Sequence, residues 1–165
     1  MREGLSLVHN TLVDSGHRAD IRLIAGGKVA TGFDIVRCLA LGADLCGSAR
    51  AMMLALGCIQ TRRCDSNDCP VGVATQDPHR TQAMIVADKA KRVANFHRGT
   101  ISNLLELIAA AGCEHPGDLE LEHVNRRTHQ TQILSYAQIY GPTPGAIMTK
   151  TGPTHQTLVS TESLL

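Results

Sequence analysis

Two short apolar runs, each followed by a glycine turn and then a helical pattern, set the fold class of this chain. Ile21-Arg-Leu-Ile-Ala25 is β-branched and runs into Gly26-Gly27, and Ala43-Asp-Leu-Cys46 runs into Gly47-Ser48. Ahead of the first strand, Leu5, Val8 and Leu12 recur at helical spacing and stop at Gly16. Between the strands, Thr31 and Asp34 have capping-box spacing, and Phe33, Val36, Leu39 and Ala40 form an apolar stripe ending at Gly42. A third helix is predicted over Ala49 to Leu56. Strands and helices alternating in this way imply parallel strands in an α/β fold. Two parallel strands cannot form a sheet of their own, because a parallel sheet is covered on both faces and needs more strands. Residues 1–57 therefore read as a piece of a larger architecture, and the chain reads as truncated at its N-terminus.

The third helix leads into Gly57-Cys-Ile-Gln-Thr-Arg-Arg-Cys-Asp-Ser-Asn-Asp-Cys-Pro70, which carries Cys58, Cys64 and Cys69. Gly57, Asn67 and Pro70 let such a loop curl so that three thiolates can gather around one inorganic cluster. Three ligands suit a three-iron cluster, or a four-iron cluster with one iron lacking a cysteine. Zinc is the alternative metal, though structural zinc sites usually bring cysteines in closer pairs and complete a four-coordinate shell. Unligated or redox-active thiols also fit the spacing, and a disulfide fits it least. Cys38, Cys46 and Cys113 lie in apolar surroundings and read as buried small hydrophobes. His123, His129 and His155 show no metal-ligand spacing on a helix and read as solvated or structural.

Beyond the loop, Val86, Ala90, Val93, Ile101, Leu104, Leu105, Ile108 and Ala111 predict a long amphipathic helix ending at Gly112, with a bend expected near Gly99. Residues 113–165 hold little apolar periodicity and include Gly141-Pro-Thr-Pro-Gly145, so irregular wrapping or a loose tail is expected there.

Composition removes several function classes. Two Phe, two Tyr, no Trp and a net charge of +1 leave little with which to stack on bases or neutralise a phosphate backbone, so nucleic acid is not an expected partner. No long apolar run predicts a membrane span, and the N-terminus lacks the order of a signal peptide, which reads as cytoplasmic. Six cysteines without an export signal favour reduced thiols or metal ligation.

The glycine turns also carry chemistry. Gly26-Gly27 and Gly47-Ser48-Ala49 each expose backbone N–H groups at a strand's C-terminal end just before a helix, an arrangement suited to phosphate. Such turns equally serve as ordinary packing punctuation. Lys28 and Arg50 flank them, as phosphate contacts or as solvated charges.

Ile24 through Arg37, Leu41-Gly-Ala-Asp44, Leu56-Gly-Cys58 and Cys69-Pro-Val-Gly-Val-Ala-Thr-Gln76 together closely resemble the FMN-binding synthase domain of glutamate synthases, over residues 1 to about 112. The resemblance implies a (β/α)8 TIM barrel of about 250 residues, of which this chain carries the last two βα units. It implies FMN at the C-terminal ends of the strands, with Gly26, Gly27, Gly47, Ser48 and Ala49 cradling its phosphate. It likewise implies a 3Fe–4S cluster on Cys58, Cys64 and Cys69. The chain then divides into barrel units (1–57), the Fe–S cysteine loop (58–76), a helical segment (77–112) and an irregular C-terminal extension (113–165).

The family forms glutamate from 2-oxoglutarate and glutamine-derived ammonia, using hydride from the flavin and electrons from NAD(P)H or ferredoxin. No catalytic residue is assigned, because the groups expected around the flavin ring and 2-oxoglutarate belong to strands this chain lacks. Expected partners are the missing N-terminal barrel segment or a homologous subunit, and an electron-donor subunit or ferredoxin. The alternative expectation is a non-catalytic Fe–S-binding module that docks to a partner barrel segment. IMP dehydrogenases share the phosphate turns but place a nucleophilic cysteine soon after the second and lack the three-cysteine loop, which separates the two families.

Overall fold

The computed structural model describes residues 1–141. The elements run α1 (Arg2–Asp14), β1 (Ile24–Gly26), α2 (Gly32–Ala40), β2 (Leu45–Gly47), α3 (Ala49–Leu56), α4 (Pro78–Thr81), α5 (Val86–Ala110), β3 (Asn125–His129), β4 (Gln132–Ser135) and α6 (Tyr136–Tyr140). The fold is mixed α/β with few strands. β1 and β2 form a parallel pair, as the alternation predicts, while β3 and β4 form a separate antiparallel hairpin.

Both strands of the parallel pair are shorter than their apolar runs suggest. Asp44 is the reason at the start of the pairing: its carboxylate accepts the Leu23 N–H at 2.7 Å, and its own N–H and that of Leu45 donate to the Leu23 carbonyl. Arg18 locks this junction, donating to Asp44 Oδ2 at 2.9 Å and to the Gly42 carbonyl at 2.8 Å. Regular pairing begins only at Ile24.

Thr31 starts α2 through the predicted capping box, its hydroxyl accepting the Asp34 N–H while the Asp34 carboxylate accepts the Thr31 N–H. The buried stripe of α2 has two partners. Cys38 packs with Ala25, Val29 and Ala43 beneath the strands, whereas Val36 and Ala40 join the larger core with Leu104 and Ile108 of α5. Helices thus cover one side of the strand pair. Ile24, 68% exposed, and Leu45 opposite it, 51% exposed, leave its other side apolar and bare.

The long helix α5 is continuous from Val86 to Ala110 through Gly99. No helix among the described residues is long and apolar enough to cross a membrane.

Residues 113–141 correct the expectation of irregular wrapping. Two 3-10 turns, the β3–β4 hairpin and α6 follow α5, and Leu119, Val124, Tyr136 and Tyr140 are core residues packed with α2 and α5. Tyr136 is 1% exposed and meets Tyr140 edge to face, with ring centroids 5.0 Å apart. Burial of these rings supplies the apolar area that the segment's weak periodicity conceals. Tyr140 also ties the module to α1: its carbonyl accepts from Ser6 Oγ at 3.3 Å, and its hydroxyl accepts from Arg126 at 2.9 Å. Residues 142–165, including His155 and most of the Gly141–Gly145 run, lie outside the described residues.

Candidate functional site

Register brings the two glycine turns together. Gly26 stands opposite Gly47 at the C-terminal ends of β1 and β2. Neither glycine is demanded by the chain's own packing: a Cβ at Gly26 would meet nothing within 4 Å, and one at Gly47 would lie 3.8 Å from the Ala25 carbonyl oxygen. The bare backbone therefore leaves open a surface that side chains would cover. Beside it, Ser48 precedes α3 without capping it, since its hydroxyl donates to the Val29 carbonyl at 2.8 Å. The first N–H groups of α3, beginning at Ala49, remain available to an acceptor. The register thus sets Gly26 and Gly27 beside Gly47, Ser48 and Ala49 at one end of the strand pair, and bare backbone ahead of a helix start is chemistry that fits a phosphate. Lys28 lines an open cleft of about 430 Å³ together with Gly27, Arg2, Arg37, Arg126 and Glu3, so basic side chains outnumber the one carboxylate there. Arg50 is exposed in the first turn of α3.

Gly57 turns the chain out of α3 with φ +105°, a left-handed conformation that ordinary residues resist, and delivers it directly to Cys58. Gln60, Arg62 and Asn67 also have positive φ, so the loop curls as its composition predicts. Cys58 is half-buried and its sulfur accepts the Gln60 N–H at 3.4 Å. Cys64 is exposed. Cys69 is buried, and the N–H groups of Ala74 and Val71, helped by those of Val73 and Gly72, hold its thiol below the usual range against the opposing effect of burial. Amides aimed at sulfur favour the thiolate and are among the groups that tune iron–sulfur centres. Three thiol side chains on one loop are the donor chemistry that a thiolate-bound cluster takes. Among the described residues no three Cys, His, Asp or Glu side chains are grouped closely enough to hold a metal ion, so the structure does not gather Cys58, Cys64 and Cys69 into one ligand set.

Asn67, marked in the sequence as a turn residue, organises this loop together with two residues that sequence reasoning passed over, Asp68 and Arg80. The Asn67 side chain accepts the Gln76 N–H at 2.6 Å and its carbonyl accepts from Thr75 Oγ1 at 2.7 Å, closing residues 67–76 into a compact turn. Asp68 pairs with Arg63 at 2.6 Å and with Arg80, and these two guanidinium groups hold its carboxyl below the ordinary carboxylate range. The position of Asp68 next to Cys69 was the available signal; Arg80 had none.

The other cysteines belong to the core, as expected. Cys38 is buried and Cys46 packs against its cluster; the shared S–H contact with Cys38 and burial push the Cys46 thiol up, so it stays protonated. Cys113 lies 3.9 Å from His123 Nε2, while His123 Nδ1 accepts the Glu120 N–H at 2.9 Å. His123 is thus a structural histidine.

The family profile described as "Conserved region in glutamate synthase" matches residues 1–114, more than half of the chain. The chain belongs to the glutamate synthase family. It is 39% identical over 131 residues to the glutamate synthase large subunit-like protein YerD of Bacillus subtilis, covering 79% of this chain and 25% of that protein. It is 36% identical to the NADH glutamate synthase of Saccharomyces cerevisiae and 38% identical to the NADPH glutamate synthase large chain of Azospirillum brasilense, each over 109 residues. Those matches cover 66% of this chain, and 5% and 7% of the respective relatives. This glutamate synthase family chain therefore spans a quarter or less of the length of each. The similarity to YerD, at 131 residues, is longer than the 114-residue family region and takes in part of the structured C-terminal module.

Proposed function

We propose that this chain supplies the phosphate-binding end and the iron–sulfur loop of a glutamate synthase-like oxidoreductase that forms glutamate from 2-oxoglutarate and glutamine-derived ammonia. The observation that carries the reading is the register of Gly26 against Gly47 before the uncapped start of α3, with Cys58 directly beyond that helix. When bound, FMN supplies hydride chemistry and a 3Fe–4S cluster supplies an electron path to it. Gly26, Gly27 and Gly47 allow a phosphate to approach the backbone, and the first N–H groups of α3 from Ala49, with Ser48 at the turn, stabilise its charge. Cys58, Cys64 and Cys69 would hold the cluster once drawn together around it. β1 and β2 are then the last two strands of a (β/α)8 barrel; the remaining strands pair at the open edges of this two-stranded sheet, and closure of the barrel covers the bare side bearing Ile24 and Leu45. Its setting is a reducing cytoplasm, where unpaired thiols persist. The electron donor is an NAD(P)H-oxidising subunit or ferredoxin.

A second reading is a non-catalytic Fe–S-binding module that docks to a partner barrel segment. The bare strand face favours docking in either case. The test is flavin fluorescence titration of the chain, alone and with a second polypeptide carrying the remaining strands. Weak binding alone, tight binding in the complex and glutamate formation with 2-oxoglutarate, glutamine and a reductant support the enzyme reading. A complex that binds flavin without turnover supports the module, and tight binding by the lone chain contradicts the need for further strands.

A further inference from the structure

The turn that presents Cys69 is held from both ends by one residue of α4. The Arg80 guanidinium contacts Asp68 Oδ1 through Nη1 and lies 3.4 Å from Asp77 Oδ2 through Nε, while Arg63 takes the other Asp68 oxygen. On the far side of the cysteine, the Arg80 carbonyl packs so closely on Gly72 that a Cβ there would collide with it. Gly72, with φ +76°, donates its N–H to the Cys69 carbonyl at 3.3 Å. Side chain and main chain of Arg80 thus grip residues 68 and 72, the two flanks of Cys69. An isolated exposed ion pair contributes little, but one guanidinium spanning two carboxylates has fixed fork geometry and belongs to a network.

We propose that Arg80 is a positioning residue for Cys69, locking residues 68–72 on both sides of it. The consequence for cluster retention rests on the reading of Cys69 as a ligand; the locking itself does not. Hydrogen exchange on the metal-free full chain separates the two. Arg80→Met should speed exchange of the amides of residues 71–76 about tenfold and leave α2 and α5 unchanged. Arg80→Lys, which keeps charge but loses the fork, should fall between. After anaerobic loading with iron and sulfide, Arg80→Met should release iron to a chelator about tenfold faster than the parent. Unchanged exchange at 71–76 overturns the proposal whether or not iron binds. Faster exchange there in a chain whose parent takes up no iron supports the positioning role and removes the cluster reading instead. If Arg80→Met loosens α2 and α5 as well, Asp68→Asn decides: faster exchange confined to 71–76 supports the lock, and unchanged exchange overturns it.

Discussion

Gly26 and Gly47 face each other across the parallel β1–β2 register, and a Cβ on either would strike nothing within the chain. If ligand approach rather than packing keeps these positions bare, Gly26→Ala and Gly47→Ala should leave folding intact. Urea unfolding should show a change within about 0.5 kcal/mol, or a gain approaching about 1 kcal/mol from the stiffer unfolded chain. Flavin binding by the complemented barrel should weaken in both. Losses of stability above about 2 kcal/mol would show that the turns are glycine for internal reasons.

Asp44 should govern acid sensitivity. Burial alone would raise its pKa, but the Arg18 hydrogen bond and the Leu23 N–H outweigh burial and leave it lowered. A carboxylate with a depressed folded pKa contributes stability in full above its unfolded value and loses it as pH falls through the folded one, so the loss belongs below about pH 4. Asp44→Asn should cost about 2 kcal/mol at pH 7 and flatten the acid limb of the stability profile. Asp34, lowered by the Ala30 and Thr31 contacts against burial, should add to the same limb. A variant with the parent's steep acid limb would place the sensitivity elsewhere.

Tyr136 tests whether the C-terminal module belongs to the core. Tyr136→Ala should destabilise the chain by about 3–5 kcal/mol in equilibrium unfolding, the range for a buried aromatic. A loss under about 1 kcal/mol would mean that the module docks without stabilising α2 and α5.

The legible parts of the fold are those whose signals are local. Thr31 and Asp34 announce α2, Ala49 to Leu56 coincides with α3, and Gly16 and Gly112 take positive φ just past their helices. The C-terminal module was missed because 3-10 turns and a short hairpin have no long apolar period. Its local marks were present in the Ser135–Gln138 capping box and the Tyr136–Tyr140 pair one helical turn apart. At the site, glycine turns and cysteines were readable by residue type, whereas the clamp was not. Arg80 lies twelve positions from Asp68, and only the folded turn joins them.

The central claim is that Cys58, Cys64 and Cys69 hold an iron–sulfur cluster, and anaerobic reconstitution of the purified chain with iron and sulfide tests it most directly. The account predicts bound iron with broad visible charge-transfer absorption, lost almost entirely when all three are changed to serine and retained in Cys113→Ser, because thiolates are the soft ligands such clusters need. A triple variant that keeps the parent's iron content would contradict it.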